Sequence, residues 1–202
     1  SDNVDKTAIT KVGFWDDPEA VYYFDDITFV KELPPDESTP MNGTPVKLCD
    51  FETDSDGFYE PSASETAASV EEGAGRNGSR GLVYERTTKS AGPSKEAGSV
   101  VFGSRTPADI TGLRYLVFWI KDMNGSNNPM IGLVDADGNE SNFSWTDGGY
   151  LKSVKGTWTQ FHVPLSTVSG NVDRTKITGV RIGEWNQGTY YIDDVYFDNY
   201  LS

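Results

Sequence analysis

A segment near the start of the chain recurs near its end, and this repeat restricts the organisation of the chain more than any other feature. Residues 5–29 align without a gap with residues 173–197, and 10 of the 25 positions are identical. A repeat of this kind indicates a repeated structural unit. We therefore predict that residues 1–31 form the C-terminal hairpin of a sister module, residues 32–45 a linker, and residues 46–202 a complete module.

From residue 46 onward, short patterns typical of β-strands alternate with turn signals such as KDMNGSNNP and DADGNES. No segment shows the sustained apolar period of about 3.6 residues that a packed helix needs. The 21 glycines and the aromatic content of 12% suit tight turns and strands. Many short strands at this spacing predict an all-β domain, either a sandwich or a barrel.

Alternation by two residues separates an apolar face from an aromatic and polar outer face in three of these strands. The apolar positions are Leu116, Phe118, Ile120, Phe161, Val163, Leu165, Val180 and Ile182. The outer positions are Tyr115, Trp119, Lys121, Trp158, Gln160, His162 and Arg181. Sugar rings stack on aromatic side chains while planar polar groups bind their hydroxyls, so such an outer face is typical of a sugar-binding surface. Trp158 is nevertheless expected in the core, because it begins a GTW…VPL packing pattern.

The chain carries 31 acidic and 17 basic residues, which gives a net charge of −14. Nucleic acid is therefore a poor partner, because phosphate binding needs clustered Lys and Arg. Neutral ligands are favoured over anionic ones for the same reason. No apolar run approaches the roughly 18–20 residues of a membrane helix, so no membrane partner is predicted. Cys49 is the single cysteine, and it leaves export undecided.

Five motifs occur in order between residues 46 and 200: LCDFE, GRNGSRGLVYE, LRYLVFWIKD, GTWTQFHVPLSTV and ITGVRIGEWNQGTYYIDDVYFDN. Together they resemble the β-jelly-roll carbohydrate-binding modules of bacterial polysaccharide-degrading enzymes. The resemblance implies a jelly-roll sandwich of two antiparallel sheets, a structural calcium ion (Ca²⁺) and non-catalytic glycan binding. It also implies a secreted or cell-surface bacterial protein in which the module targets an attached enzyme. The expected ligand is a neutral β-linked polysaccharide such as a β-glucan, a mannan or a xylan.

Candidate calcium ligands lie near both ends of the predicted module. Asp50 and Glu52 are two residues apart on one strand and therefore share a face. Asp193 alternates with apolar neighbours and is expected to point inwards, where a carboxylate needs a partner. In the family that the chain resembles, a first-strand acid, the last-strand Asp and loop carbonyls surround calcium, and the corresponding loop contains Asn77 and Ser79. The alternative is that these carboxylates are solvated strand ends.

Candidate sugar-binding residues combine exposed aromatic rings with planar polar groups. Trp185 lies in the turn GEWNQG, where an indole is hard to bury. The alternative for each tryptophan is an ordinary place in the core or at the sandwich edge. The aromatic candidates are Trp119, Trp145, Tyr150 and Trp185, and the polar candidates are Gln160, Arg181, Asp135 and Asn142.

No catalytic motif is recognisable in the sequence. There is no Gly-x-Ser-x-Gly elbow, zinc helix motif or phosphate loop, and the single histidine, His162, has no nucleophile near it in sequence. Glycosidases need two carboxylates across a cleft, and a count of acidic residues does not decide this. We predict no enzyme activity. The alternatives that stay open are a small jelly-roll polysaccharide hydrolase or lyase, and a structural module of a bacterial surface protein.

Overall fold

The structure is a computed structural model. It describes residues 44–53, 57–62, 65–88, 98–123, 130–142, 155–184 and 186–199, and the backbone alone at 144–145. All of these residues belong to one compact unit, Pro34–Ser202. The predicted hairpin at 1–31, nearly all of the predicted linker at 32–45, and the candidates Tyr150 and Trp185 lie outside the described residues.

The described part of the chain consists of strands, turns and two single-turn 3₁₀ helices, Arg76–Gly78 and Leu165–Thr167. Neither helix has the length or the apolar character needed to cross a membrane. The strands are β1 (Val46–Cys49), β2 (Phe58–Pro61), β3 (Thr66–Glu71), β4 (Gly81–Arg86), β5 (Ser99–Ala108), β6 (Tyr115–Asp122), β7 (Met130–Asp135), β8 (Ser144–Trp145), β9 (Trp158–Pro164), β10 (Ile177–Gly183) and β11 (Gly188–Asp198).

The strands form two antiparallel sheets. Sheet I has the order β3-β4-β11-β6-β9, and β1 also pairs with β11. Sheet II has the order β2-β5-β10-β7-β8. Neighbours in each sheet are mostly distant in sequence, as expected when successive strands cross between two sheets. This arrangement confirms the predicted all-β sandwich of two antiparallel sheets.

The inner faces of both sheets meet in one apolar core. Phe118 of β6 and Phe161 of β9 contact each other edge to face with ring centroids 5.5 Å apart, and Phe51 meets Phe102 of β5 at 5.9 Å. Full burial of a side chain of this size contributes about 1.5–3 kcal/mol. All eight apolar positions predicted from strand alternation are buried, so the predicted inner faces of these strands are confirmed.

The backbones of β5 and β10 approach each other unusually closely in sheet II. The register of β10 shifts between Ile177 and Gly179, and Gly103 of β5 lies against this bulge. A Cβ atom at Gly103 would be 1.9 Å from the carbonyl oxygen of Thr178. Only glycine fits this approach without a shift of the backbone.

Candidate functional site

The outer face of sheet I carries a group of partly exposed aromatic side chains. Trp119 of β6 lies opposite Gln160 of β9, and Lys121 of β6 lies between Trp158 of β9 and Tyr191 of β11. All five are only partly buried, because the alternation that sends their neighbours into the core turns them outwards. We call the surface formed by Trp119, Trp158, Tyr191 and Tyr196 the aromatic face.

Lys121 places a cation between two rings of the aromatic face. Its Nζ lies 4.4 Å from the ring centroid of Tyr191 and 5.3 Å from that of Trp158. Such contacts contribute about 0.5–1 kcal/mol each at exposed sites, and they favour one orientation of both rings. The expectation that Trp158 belongs to the core is wrong, because the core positions of β9 are taken by its alternate residues and Trp158 itself faces outwards beside Lys121.

Arg76 covers part of Trp119. It lies in the connection between β3 and β4, and its guanidinium carbon Cζ is 3.7 Å from the centroid of the Trp119 ring. The Nη1 atom of Arg76 also donates to Oδ2 of Asp194 at 2.8 Å. The guanidinium is therefore held on one side by the ring and on another by a carboxylate. About a third of the Arg76 side chain, 30%, stays accessible to solvent.

A bulge in β11 gives two adjacent aspartates different surroundings. The register shifts between Asp193 and Tyr196, and Asp194 adopts a positive φ of 49°, a conformation that Asp tolerates better than most residues. Asp193 is buried and accepts hydrogen bonds from the Arg76 backbone N–H at 2.7 Å, the Ser79 hydroxyl at 3.2 Å and the Asp194 N–H at 2.8 Å. Asp194 turns outwards and is 42% exposed.

Burial is the main cause that raises the pKa of Asp193 above its ordinary value. The hydrogen bond from the backbone N–H of Arg76 opposes this, and the negative charge of Asp194 adds to it. Asp193 thus anchors the backbone of Arg76, while Asp194 holds its side chain. The two aspartates together fix the position of Arg76 over Trp119.

A cavity of about 600 Å³ opens beside Trp119 and Arg76. Gln160 of β9 and Tyr196 of β11 both line it, and Gln160 Nε2 donates to the Tyr196 hydroxyl at 2.9 Å across the intervening strand β6. The cavity combines aromatic surface with a guanidinium, a carboxylate and an amide, which is the composition of a site for a polar small molecule. Its lining residues are Pro45, Val46, Lys47, Arg76, Trp119, Gln160, Asp194 and Tyr196.

Of the predicted sugar-binding residues, the structure brings Trp119 and Gln160 together and separates Arg181 from them. Arg181 belongs to β10 in the other sheet, where it is buried. Its guanidinium binds both carboxylate oxygens of Glu140 at 2.9 and 2.7 Å and donates to the Ser99 hydroxyl at 3.1 Å. The grouping of Arg181 with Trp119 and Gln160 as residues of one sugar-binding surface is therefore wrong, because Arg181 forms an ion pair with Glu140 in sheet II.

Asp135 and Asn142 also lie away from the aromatic face, in and after β7 of sheet II. The Asp135 carboxylate accepts backbone N–H groups of Asp137 and Asn139 at 2.9 Å and of Asp173 at 3.0 Å. The Asp173 bond is the largest cause that lowers the pKa of Asp135 to about 2. This carboxylate connects the turn after β7 to the loop before β10 through these hydrogen bonds. It is not placed to bind a ligand at the aromatic face. Trp145 lies in β8 at the edge of sheet II.

The predicted calcium ligands come together only in part. The loop of Asn77 and Ser79 meets Asp193 as expected, but it points the Arg76 N–H and the Ser79 O–H at the carboxylate. A calcium site needs backbone carbonyl and carboxylate oxygens that face the ion. Asp50 pairs with Lys47 at 2.6 Å, and Glu52 is exposed. The part of the chain that the structure describes holds no group of three or more Asp, Glu, His or Cys residues that could bind a metal. As placed, these residues do not fit a calcium ion, and calcium binding stays a prediction.

His162 lies on the outer face of sheet I in the same strand as Gln160. Its Nε2 is buried and has no hydrogen-bond partner among the described residues. Burial lowers the pKa of His162, and the negative charge of Asp198 partly offsets this. The imidazole is therefore neutral near pH 7.

Sequence reasoning missed five residues of this site: Arg76, Lys121, Tyr191, Asp194 and Tyr196. The alternation within β11 was a usable signal for Tyr191 and Tyr196, since both alternate with buried positions. Lys121 was assigned to the correct face without a role. No local signal pointed to Arg76, because its contact with Trp119 joins residues 43 positions apart in sequence.

Comparisons with known proteins give a match by structure. The sequence matches no family model and no curated protein. A family 30 carbohydrate-binding module is similar over 80% of this chain and 91% of its own, with a TM-score of 0.57 and 17% identity. The family 30 module of the cellulosomal cellulase Cel9D-Cel44B of Clostridium thermocellum is similar over 79% of this chain and 99% of its own, with a TM-score of 0.56 and 17% identity.

A third similar structure was solved with a sugar bound. This is the family 11 carbohydrate-binding module of Clostridium thermocellum, in complex with a β-1,3-1,4-mixed-linked tetrasaccharide. It is similar over 78% of this chain and 97% of its own, with a TM-score of 0.52 and 15% identity. Identities of 15–17% are evidence for a shared fold alone. The jelly-roll fold expected from the sequence is confirmed. The chain has the two-sheet jelly-roll fold of carbohydrate-binding modules.

Proposed function

We propose that the chain is a non-catalytic carbohydrate-binding module whose aromatic face binds a neutral β-linked polysaccharide. The observation that carries the proposal is the combination of four partly exposed rings with a cavity of about 600 Å³ on one face of sheet I. Sugar rings pack on aromatic surfaces, and Gln160, Arg76 and Asp194 supply hydrogen bonds for their hydroxyls. The fold shared with carbohydrate-binding modules supports this assignment.

The charges around the cavity favour a neutral ligand. Lys47 and Arg76 line the cavity, but each is paired with a carboxylate, Asp50 at 2.6 Å and Asp194 at 2.8 Å. Neither cation needs an acidic sugar for compensation. The net charge of −14 adds a long-range repulsion against polyanions. A β-glucan, a mannan or a xylan therefore suits this face better than a sulfated or uronate-rich polymer.

The carboxylates of the site argue against glycoside hydrolysis. Glycosidases use two carboxyl groups on either side of the bond that is cut. Among the described lining residues of the cavity, Asp194 is the single acidic residue, and it is paired with Arg76. We infer that the module binds without cutting and, as part of a secreted multi-module enzyme, brings a catalytic domain to its substrate. The sister module predicted from the repeat would add a second binding face and raise avidity.

Affinity electrophoresis through gels that contain mixed-linked β-glucan, glucomannan or xylan tests the proposal. We expect at least one polymer to retard the protein. Trp158→Ala should weaken binding by about 2 kcal/mol or more, roughly 30-fold, if the ring is an anchor of the site. Tyr59→Ala is the matched control, since Tyr59 is an aromatic residue that is 39% exposed on β2 of the other sheet.

Any of four outcomes would overturn the proposal. Migration that none of the polymers changes would favour a structural module without glycan function. Release of reducing ends from a retained polymer would indicate a hydrolase, and release of unsaturated products would indicate a lyase. A Tyr59→Ala variant that loses as much affinity as Trp158→Ala would move the site to another face.

A further inference from the structure

We propose that Arg76 and Asp194 act together as the pair that recognises two adjacent hydroxyl groups of a sugar, and that Trp119 serves as the support of this pair. The inference rests on the proposed function and names the specificity-determining residues of its site. Neither residue was a sequence candidate.

The position of the pair is fixed from three directions. The Arg76 backbone N–H is bound by buried Asp193 at 2.7 Å. The guanidinium lies over Trp119 with Cζ 3.7 Å from the ring centroid, and Asp194 binds its Nη1 at 2.8 Å. A guanidinium held in this way loses little conformational entropy when it binds a ligand. Because it covers Trp119, that side of the ring is not available for sugar stacking.

Both members of the pair keep hydrogen-bonding capacity for a ligand. A guanidinium has five N–H donors, and within the described residues the Arg76 side chain uses Nη1 alone, toward Asp194. Asp194 accepts that bond through Oδ2, and its Oδ1 accepts none from the described residues. The side chains are 30% and 42% exposed, and both line the cavity of about 600 Å³.

A donor and an acceptor side by side match two neighbouring hydroxyls. Each hydroxyl donates one hydrogen bond and accepts two, so one hydroxyl donates to Oδ1 of Asp194 while the next accepts from Arg76. The internal ion pair also keeps the net charge of the pair at zero, which suits a neutral sugar. Since the pair cannot move freely, it accepts hydroxyls that leave the sugar ring in one direction. Inverting a single hydroxyl, as between glucose and mannose units, therefore removes one of the bonds.

Titration calorimetry with cellohexaose, mannohexaose and xylohexaose tests this inference. We expect the wild-type protein to prefer one sugar over its epimer by about 10-fold, the worth of one hydrogen bond to a charged group. Asp194→Asn and Arg76→Lys should each weaken binding of the preferred sugar about 10-fold and reduce the preference to below about 3-fold. Asparagine tolerates the positive φ at this position, and lysine keeps the charge without the planar fork.

A second measurement varies the ligand as well as the protein. Derivatives of the preferred oligosaccharide that each lack one hydroxyl are titrated into the wild-type protein and into Asp194→Asn. One derivative should bind the wild type about 10-fold more weakly, and the same derivative should lose little further affinity with Asp194→Asn, because the missing bond is the same. Independent losses for every derivative would overturn the inference.

The two proposals fail in different ways. If the wild-type protein binds none of the three hexasaccharides and no polymer in the gels, the proposed function is overturned together with this inference. If the wild type binds and both variants keep its affinity and its epimer preference, this inference alone is overturned. Trp119→Ala gives a further check, since loss of the support should reproduce the effect of Arg76→Lys on the epimer preference.

Discussion

Replacing Gly103 with alanine should destabilise the sandwich far more than the addition of one methyl group suggests. The added Cβ would lie 1.9 Å from the carbonyl oxygen of Thr178 and 2.7 Å from Cα of Gly179. Carbon–oxygen contacts normally lie at about 3.3–3.6 Å, so β10 would have to retreat by about 1.5 Å. Overpacking of this kind costs about 1–3 kcal/mol, and weakening of about two neighbouring hydrogen bonds adds about 1 kcal/mol each. We expect a total loss of about 3–5 kcal/mol, which lowers the melting temperature by roughly 10 °C.

Thermal and urea unfolding of Gly103→Ala and Gly132→Ala measure this effect. Gly132 lies in β7 of the same sheet, is buried, and offers its Cβ position an ordinary contact of 3.4 Å to the Ser141 hydroxyl. The control should leave stability unchanged or raise it by up to about 1 kcal/mol, since glycine is costly in a strand interior. A Gly103→Ala protein that melts within about 2 °C of the control would refute the close approach of β5 and β10.

Three further predictions concern ionisable groups. Burial holds the pKa of His162 below its ordinary 6.5, so the free energy of unfolding should fall as pH drops through 6.5. Thermal melts between pH 5 and 8 should show a weaker pH dependence for His162→Gln than for the wild type. Asp135 has a pKa of about 2 against an ordinary 3.8, so Asp135→Asn should lower the melting temperature at pH 7. The difference in melting temperature between the wild type and this variant should shrink as pH falls from about 4 to 2. The predicted calcium ion should make the melting temperature higher in millimolar calcium than in excess chelator, and Asp193→Asn should abolish the difference. Equal melting temperatures would contradict calcium binding and agree with the three donors that the oxygens of Asp193 already accept.

Two cations contact rings of the aromatic face at different places and make its two ends different. Arg76 lies over Trp119, and Lys121 lies between Trp158 and Tyr191. Each cation occupies space beside a ring that a sugar would otherwise fill. A polysaccharide that binds this face therefore meets the uncovered sides of the rings, with the Arg76–Asp194 pair beside one end. This arrangement predicts that the polymer binds in one preferred direction.

The sequence by itself determined most of the strands, although not β2 and β3, and it determined the two faces of β6, β9 and β10. Strand alternation is a local property of the chain, and it placed Phe118 and Phe161 in the core and Trp119 and Gln160 outside, as the structure has them. The turn signals and the absence of a helical period were sufficient for the all-β class. The pairing of Trp119 with Gln160 across β6 and β9 followed once these strands became neighbours.

Only the tertiary structure decided which of the two sheets each strand joins, and therefore on which outer face of the sandwich its outward side chains lie. Arg181 and Trp119 both point away from the core, but β10 and β6 belong to different sheets, so the two residues lie on opposite outer faces. Sheet membership depends on pairing between strands far apart in sequence, which a period of two residues cannot encode. The same reason applies to Arg76, which reaches Trp119 from a loop of another strand pair, and to Asp194, which a bulge in β11 turns outwards. The sequence alone therefore predicts strand faces, whereas the polar half of the site exists only after distant segments meet.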